Sequence, residues 1–181
     1  DGTELALRLG TSDDVLHTAV AGRLRDSLAG CGVRAQIQAL PGPSLLGAWP
    51  EGAAFSGRFD LILWAWPVLH SPSCEMFAGW EVPAEGNPSG VNASGWADGQ
   101  YDDACRRLLN GSRGEGSYRA AAALTQERFT AELPGLPLFL RPRLVATRAG
   151  VCGLAVDSTS LTVLADLEGA GRGEDCAASD G

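Results

Sequence analysis

Leu5, Leu7 and Leu9 alternate with polar or small residues, a period of two that predicts a strand at the start of the chain. The run Thr11, Ser12, Asp13, Asp14 then supplies an N-cap and acids for the first turn of a helix. Leu16, Val20, Leu24 and Leu28 recur at every fourth position along that helix, and Gly30, Cys31 and Gly32 end it. Residues 33–39 read as a second strand, completing a β-α-β unit whose right-handed crossover favours parallel pairing. Residues 41–57 are punctuated by Pro and Gly yet carry Leu45, Leu46 and Trp49, so a short amphipathic helix or an ordered loop is expected there. Residues 59–66 form an almost continuous apolar run, the pattern of a central strand covered on both faces.

The pattern changes after that run. Residues 71–98 are irregular, with a turn of helix expected at 73–78, and a loop of this length inside a domain usually has a function. Asp98 caps a helix on which Tyr101, Cys105 and Leu108 share a face. A second helix places Tyr118, Ala122, Thr125, Phe129 and Leu133 on one stripe before Pro134 stops it. Residues 136–140 and 144–147 read as further strands. These elements make residues 1–166 a single α/β domain, and residues 167–181 are expected to be a flexible tail.

Length and composition fit that reading. The chain has 181 residues, 45% hydrophobic and 20% charged, enough for one domain with a proper core. A formal net charge of -8, with no basic stripe, argues against nucleic acid as a partner, because binding a phosphate backbone needs clustered cations. All 14 basic residues are arginine, which with 24 glycines marks a GC-rich coding bias. No apolar run approaches the ~18 residues needed to span a bilayer, and the first residues have no signal-peptide character. A soluble chain, or a processed or excised piece, is expected.

The five cysteines (Cys31, Cys74, Cys105, Cys152 and Cys176) lack the C-x-x-C spacing of zinc and thioredoxin sites. Their number suits an oxidising compartment with one or two disulfides and at least one cysteine left over. Sequence does not fix the connectivity; nearness to the tail is the reason for favouring Cys152 with Cys176. His70, Cys74 and Glu75 are close in sequence but lack a fourth ligand, so no metal site and no cofactor are expected. His17 lies among polar neighbours on the first helix and is expected to be solvated. No G-x-S-x-G elbow, H-E-x-x-H or P-loop is present, and the glycine-rich run at residues 169–173 follows no strand, so no catalytic residue is assigned.

Two groups of residues are candidates for binding. On a strand, Asp60, Ile62, Trp64 and Trp66 face one side. The tryptophans either form an apolar wall at the strand's C-terminal end, where open α/β sheets place ligands, or are core packing. Asn92, Ser94 and Trp96 either contact a ligand or serve their own loop, the polar pair bonding local backbone and the indole anchoring the loop to the core.

Three blocks carry a family resemblance: residues 58–72 (RFDLILWAWPVLHSP), 87–109 (NPSGVNASGWADGQYDDACRRLL) and 132–151 (ELPGLPLFLRPRLVATRAGV). Together they resemble the C-terminal lobe of family 5 extracellular solute-binding proteins, the capture subunits of ABC importers for peptides, nickel and some oligosaccharides. The resemblance implies a type II periplasmic-binding-protein-like lobe, with a mixed, mostly parallel sheet flanked by helices. It makes Trp64 and Trp66 part of a cleft wall, and Asn92, Ser94 and Trp96 part of an Asn-x-Ser-Gly-aromatic ligand loop. It also implies as partners a small-molecule or peptide ligand, an N-terminal lobe not contained in this chain, and an ABC permease. The expected protein is a monomer outside the cell membrane, tethered through an upstream lipid anchor.

One departure stands out. Peptide-binding relatives carry an aspartate shortly after the tryptophan strand that pairs with the ligand's amino terminus. Here Pro67, Val68, Leu69 and His70 fill that stretch, and no carboxylate stands between Asp60 and Glu75. Burying an ammonium without an anion costs several kcal/mol. The resemblance therefore leaves a second expectation open: a secreted or lipid-anchored envelope scaffold that kept the fold and gave up transport, as in some actinobacterial lipoproteins.

Overall fold

The computed structural model describes residues 5–66, 74–140, 146, 148–154 and 170–173. Strand β1 (Leu5–Ser12) pairs on both sides, in parallel with β2 (Val33–Leu40) along its whole length and with β3 (Leu61–Leu63) at Leu9 to Thr11. The order β2-β1-β3 makes β1 the middle strand. Helix α1 (Val15–Gly30) links β1 to β2, and the Asp14 carboxylate caps it by accepting from the Leu16 and His17 amides at 2.9 and 3.3 Å. Helix α2 (Gly42–Leu46) fills the segment where a short helix is expected.

Among the described residues the apolar run at residues 59–66 is paired on one side only. Only Leu61–Leu63 is paired, at the outer position among the described strands, and Leu61 is 39% exposed. Side chains explain the shortness. At one end the Asp60 carboxylate takes the Arg8 amide at 2.7 Å and its guanidinium at 3.2 Å. At the other end the Thr11 hydroxyl donates to the Leu63 carbonyl at 3.2 Å, and the chain leaves the ladder at Trp64.

Residues two apart on a strand share a face. Ile62 and Trp64 lie against the cluster of Leu45, Ala53, Ala54 and Phe59, with Leu40 and Phe55 at its margin. Gly10 pairs with Ile62 and lies under the Phe59 ring so closely that a Cβ there would fall inside the ring's van der Waals envelope. The opposite alternation carries Leu9 and Thr11, both fully buried, and Ala35, while Ala21 is the buried residue of α1.

Beyond the sheet, single turns of 3-10 helix at Cys74–Phe77 and Gly79–Glu81 precede α3 (Gly99–Asn110) and α4 (Gly116–Glu132), which pack against each other. The α3 face holds as read: Tyr101 and Cys105 are buried. The α4 stripe holds at Thr125 but not at Leu133, which adopts a left-handed conformation (φ 48°) as the C-cap and is 57% exposed. Residues 136–140 form no strand, and Leu136, Leu138, Phe139 and Leu140 are exposed. The strand expected at 144–147 falls outside the described residues except for Ala146.

The chain divides into two compact units, Asp1–Ala65 with Cys74–Pro137, and Trp66–Ser73 with Leu138–Gly181. The described part of the second contains strands β4 (Val151–Cys152) and β5 (Gly171–Arg172), paired antiparallel. Gly171 and Arg172 lie within the segment expected to be a flexible tail. Among the described residues no helix is long and apolar enough to cross a membrane.

Gly10→Ala should destabilise the chain by about 1–3 kcal/mol through overpacking against Phe59. Gly22→Ala should stabilise it by up to about 1 kcal/mol, since Gly22 is inside α1 with nothing within 4 Å of an added Cβ. Urea denaturation of the two variants checks both signs.

Candidate functional site

The sequence-predicted loop is assembled around Asn92. This side chain is fully buried. Its amide nitrogen donates to the carbonyls of Ala78 and Trp96 at 2.9 and 2.8 Å. Its amide oxygen accepts from the Ser94 amide at 3.1 Å and the Ser94 hydroxyl at 2.7 Å. An amide side chain has two hydrogens and two lone pairs to offer, and all four are used within the chain. The Ser94 oxygen in turn accepts from the Trp96 amide at 3.2 Å. Asn92 therefore shapes the loop, its amide bonded at all four positions to the loop's own groups. Ser94 is exposed, and its oxygen is engaged in the same network.

Trp96 is half-buried and packs edge-on against Tyr101, with ring centroids 4.9 Å apart. It anchors the loop while keeping part of the indole open. Trp64 is half-buried too, 6.2 Å from the Phe55 ring, beyond the C-terminal end of β3. Trp66 is 39% exposed and belongs to the second unit. The structure thus brings Asn92, Ser94 and Trp96 together and leaves both strand tryptophans short of full burial.

Helix α3 fixes the loop by contacts not assigned from the sequence. The Cys74–Cys105 disulfide joins the start of the loop to α3. The Tyr101 hydroxyl donates to the Cys74 carbonyl at 2.9 Å, and Asp102 accepts from the Gly79 amide at 2.8 Å. The Arg106 guanidinium stacks 4.4 Å from the centre of the Trp80 ring. Residues 101, 102, 105 and 106 are one face of a helix. That spacing is visible in the sequence; the loop residues they meet are not. With Cys74 in a disulfide, its thiolate is not available to a metal, and His70 lies outside the described residues. Among the described residues no group of three or more His, Cys, Asp or Glu is placed to hold a metal ion.

Cys152 is also disulfide-bonded, Cys31 is exposed and free, and Cys176 lies outside the described residues. His17 is half-buried rather than solvated, with its Nδ1 2.5 Å from the Ser12 hydroxyl.

Two ionisable groups at the loop's junction with α3 are perturbed. Asp98 caps α3 through the Tyr101 amide at 2.8 Å and binds Arg128 of α4 at 2.6 Å. The hydrogen bond from Arg128, followed by that from the Tyr101 amide, holds its carboxyl below the usual carboxylate range. Tyr101 is pushed up to about 12, first by burial and then by the negative charge of Asp102.

Asn92→Ala should cost about 2–3 kcal/mol, because the Ala78 and Trp96 carbonyls lose their donor in a buried place. Loss of the near-ultraviolet circular dichroism of Trp96 should accompany the shift in denaturation midpoint. For Tyr101, a folded-state pKa above the unfolded value of 10.0 means that the stability gained by burying the neutral phenol is complete below that value and is lost as pH rises through about 12. Denaturation midpoints measured across this alkaline range should fall in the natural chain and fall less in Tyr101→Phe. Equal slopes would show that the phenol is not the linked group.

No protein-family model matches the sequence, and neither does any curated protein. Solved structures do share its fold. NikZ from Campylobacter jejuni, in complex with Ni(L-His), is similar at 18% identity and a TM-score of 0.56, over 72% of this chain and 25% of that one. The oligopeptide binding protein from Thermus thermophilus, complexed with pentapeptide, is similar at 19% identity and a TM-score of 0.64, over 76% and 24%. The peptide-binding protein of a peptide ABC transporter is similar at 12% identity and a TM-score of 0.54, over 73% and 55%. The chain spans about a quarter of the length of the first two. At these identities the likeness is one of architecture: the chain has the α/β, mostly parallel fold of part of the family 5 peptide and nickel solute-binding proteins of ABC systems.

Proposed function

We propose that the chain is one lobe, residues 1–166 with a short tail, of a two-lobed solute-binding protein that captures a small solute for an ABC permease. The observation carrying this reading is the shared fold with proteins solved around a pentapeptide and Ni(L-His), a likeness covering most of this chain and only part of those. Oligopeptides and oligosaccharides are the solute classes in view.

In this reading Trp64, beyond the C-terminal end of β3, is cleft wall at the edge of the parallel sheet, and Trp66 and Trp96 are, each by itself, aromatic contacts for the ligand. Both strand tryptophans are incompletely buried, as a cleft wall requires. A ligand held between two lobes favours the closed state by its differential affinity for closed over open, and the closed form docks on the permease. The exposed apolar residues Leu136, Leu138, Phe139 and Leu140 are surface for the other lobe to cover. The bonded cysteines fit a protein working outside the cell membrane, tethered by a lipid anchor on the longer parent and acting as a monomer. With no carboxylate between Asp60 and Glu75, the solute is one without an ammonium group to be held there.

A second reading, the envelope scaffold that no longer transports, is favoured by one observation: Asn92 and Ser94, the polar members of the expected ligand loop, bond each other and the loop backbone. A transporter's pocket needs convergent polar groups; a scaffold does not.

Native mass spectrometry of the longer parent protein should show a discrete adduct that disappears on denaturation, its mass separating peptide from sugar or metal. A parent that stays ligand-free after incubation with peptide, oligosaccharide and metal pools would transfer the assignment to the scaffold.

A further inference from the structure

The three asparagines of the chain sit in three chemical settings. An asparagine loses its amide spontaneously when the backbone nitrogen of the next residue attacks its side-chain carbonyl carbon. At Asn87 the next residue is Pro88, whose nitrogen has no hydrogen to give up. At Asn92 the amide is fully buried and bonded at all four positions, so neither the attack geometry nor water is accessible. Asn110 is exposed, the last residue of α3, and followed by Gly111, which carries no side chain to shield its nitrogen. Its amide bonds the Arg106 carbonyl one turn back at 2.8 Å.

The glycine is required by the way α3 ends. A Cβ at residue 111 would lie 2.8 Å from the Arg107 carbonyl oxygen, a backbone atom that cannot swing aside. The same steric demand that terminates the helix therefore leaves Asn110 open to attack.

We propose that Asn110 is a site of non-enzymatic modification, at which water converts the amide to a carboxylate. Solvent base removes the Gly111 amide proton, and the nitrogen attacks Cγ of Asn110 to close a succinimide. The Cγ–Nδ2 bond breaks, and the nitrogen departs as ammonia after taking a proton from solvent. Water then opens the ring at either carbonyl to give isoaspartate or aspartate, with no electron gained or lost.

The product places a new negative charge at the C-terminal end of α3, the end where the helix dipole disfavours an anion, and removes the bond to Arg106. Tyr101 and Asp102 stand two turns or more upstream, whereas Arg106, whose guanidinium stacks on Trp80, is one turn away and is the loop contact nearest the new charge.

The purified chain, held at mildly alkaline pH, is digested and mapped by mass spectrometry with isoaspartyl methyltransferase labelling. The expected result is the mass gain of an amide-to-acid conversion on the peptide carrying Asn110, absent in Asn110→Gln. The Asn92 peptide should convert only after the chain is unfolded in denaturant. An unchanged Asn110 peptide in the folded chain, over a period in which the same excised peptide converts, overturns the proposal, as does conversion mapped first to Asn92.

Discussion

An irregular stretch of chain keeps one shape only if its buried polar groups find partners and its position is fixed from outside. For residues 74–97 both conditions are met through α3 and the Asn92 amide. Tyr101, Asp102, Cys105 and Arg106 form one face of a single helix, and they meet the loop at three residues, Tyr101 and Cys105 at Cys74, Asp102 at Gly79 and Arg106 at Trp80. A bond across 31 residues of sequence stabilises by about 3–4 kcal/mol in the chain-entropy view, more than any one neutral hydrogen bond in the set. The Asp98–Arg128 pair then ties that helix to α4, at an ion pair sheltered enough to be worth more than an exposed one. Without this post the loop would keep its own turns and the edge-on contact of Phe77 with Phe129 of α4, and isolated turns are weak.

Local periodicity was readable wherever it decided the outcome. The alternation at Leu5, Leu7 and Leu9, the Asp98 cap and the α3 face all appear in the structure as the residues imply. The run at residues 59–66 misled because apolar continuity reports burial, not pairing. Phe59 is buried under the α2 segment and against Gly10, while Asp60 and Thr11 supply side-chain bonds at the two ends of a strand only three residues long. Leu133 misled because a helical stripe gives no sign of the residue at which the chain turns left-handed. The candidate loop was legible as Asn, Ser and Trp, but which partners satisfied Asn92 depended on Ala78, which folds back from earlier in the chain. Long-range pairing of that kind, like Cys74 with Cys105, has no local signature.

Among the residues proposed for binding, Trp64, Trp66 and Trp96 keep part of their surface open. Indoles offer large apolar faces and a single donor, and surfaces of that kind separate related solutes far less sharply than a site lined with unpaired hydrogen-bonding groups. With the Asn92 amide bonded inside its loop, the proposed solute would be read more by shape and stacking than by polar groups.

Leu136, Leu138, Phe139 and Leu140, at 71%, 42%, 59% and 81% exposure, lie within five consecutive positions of a chain carrying a formal charge of -8. Like-charge repulsion between molecules acts over about 8–10 Å at ordinary ionic strength and shrinks as salt is added, whereas attraction between apolar surfaces does not. The colloidal behaviour of the isolated chain is consequently a contest between a greasy ribbon and an acidic coat. Dilute buffer keeps the molecules apart, and concentrated salt hands the contest to the ribbon.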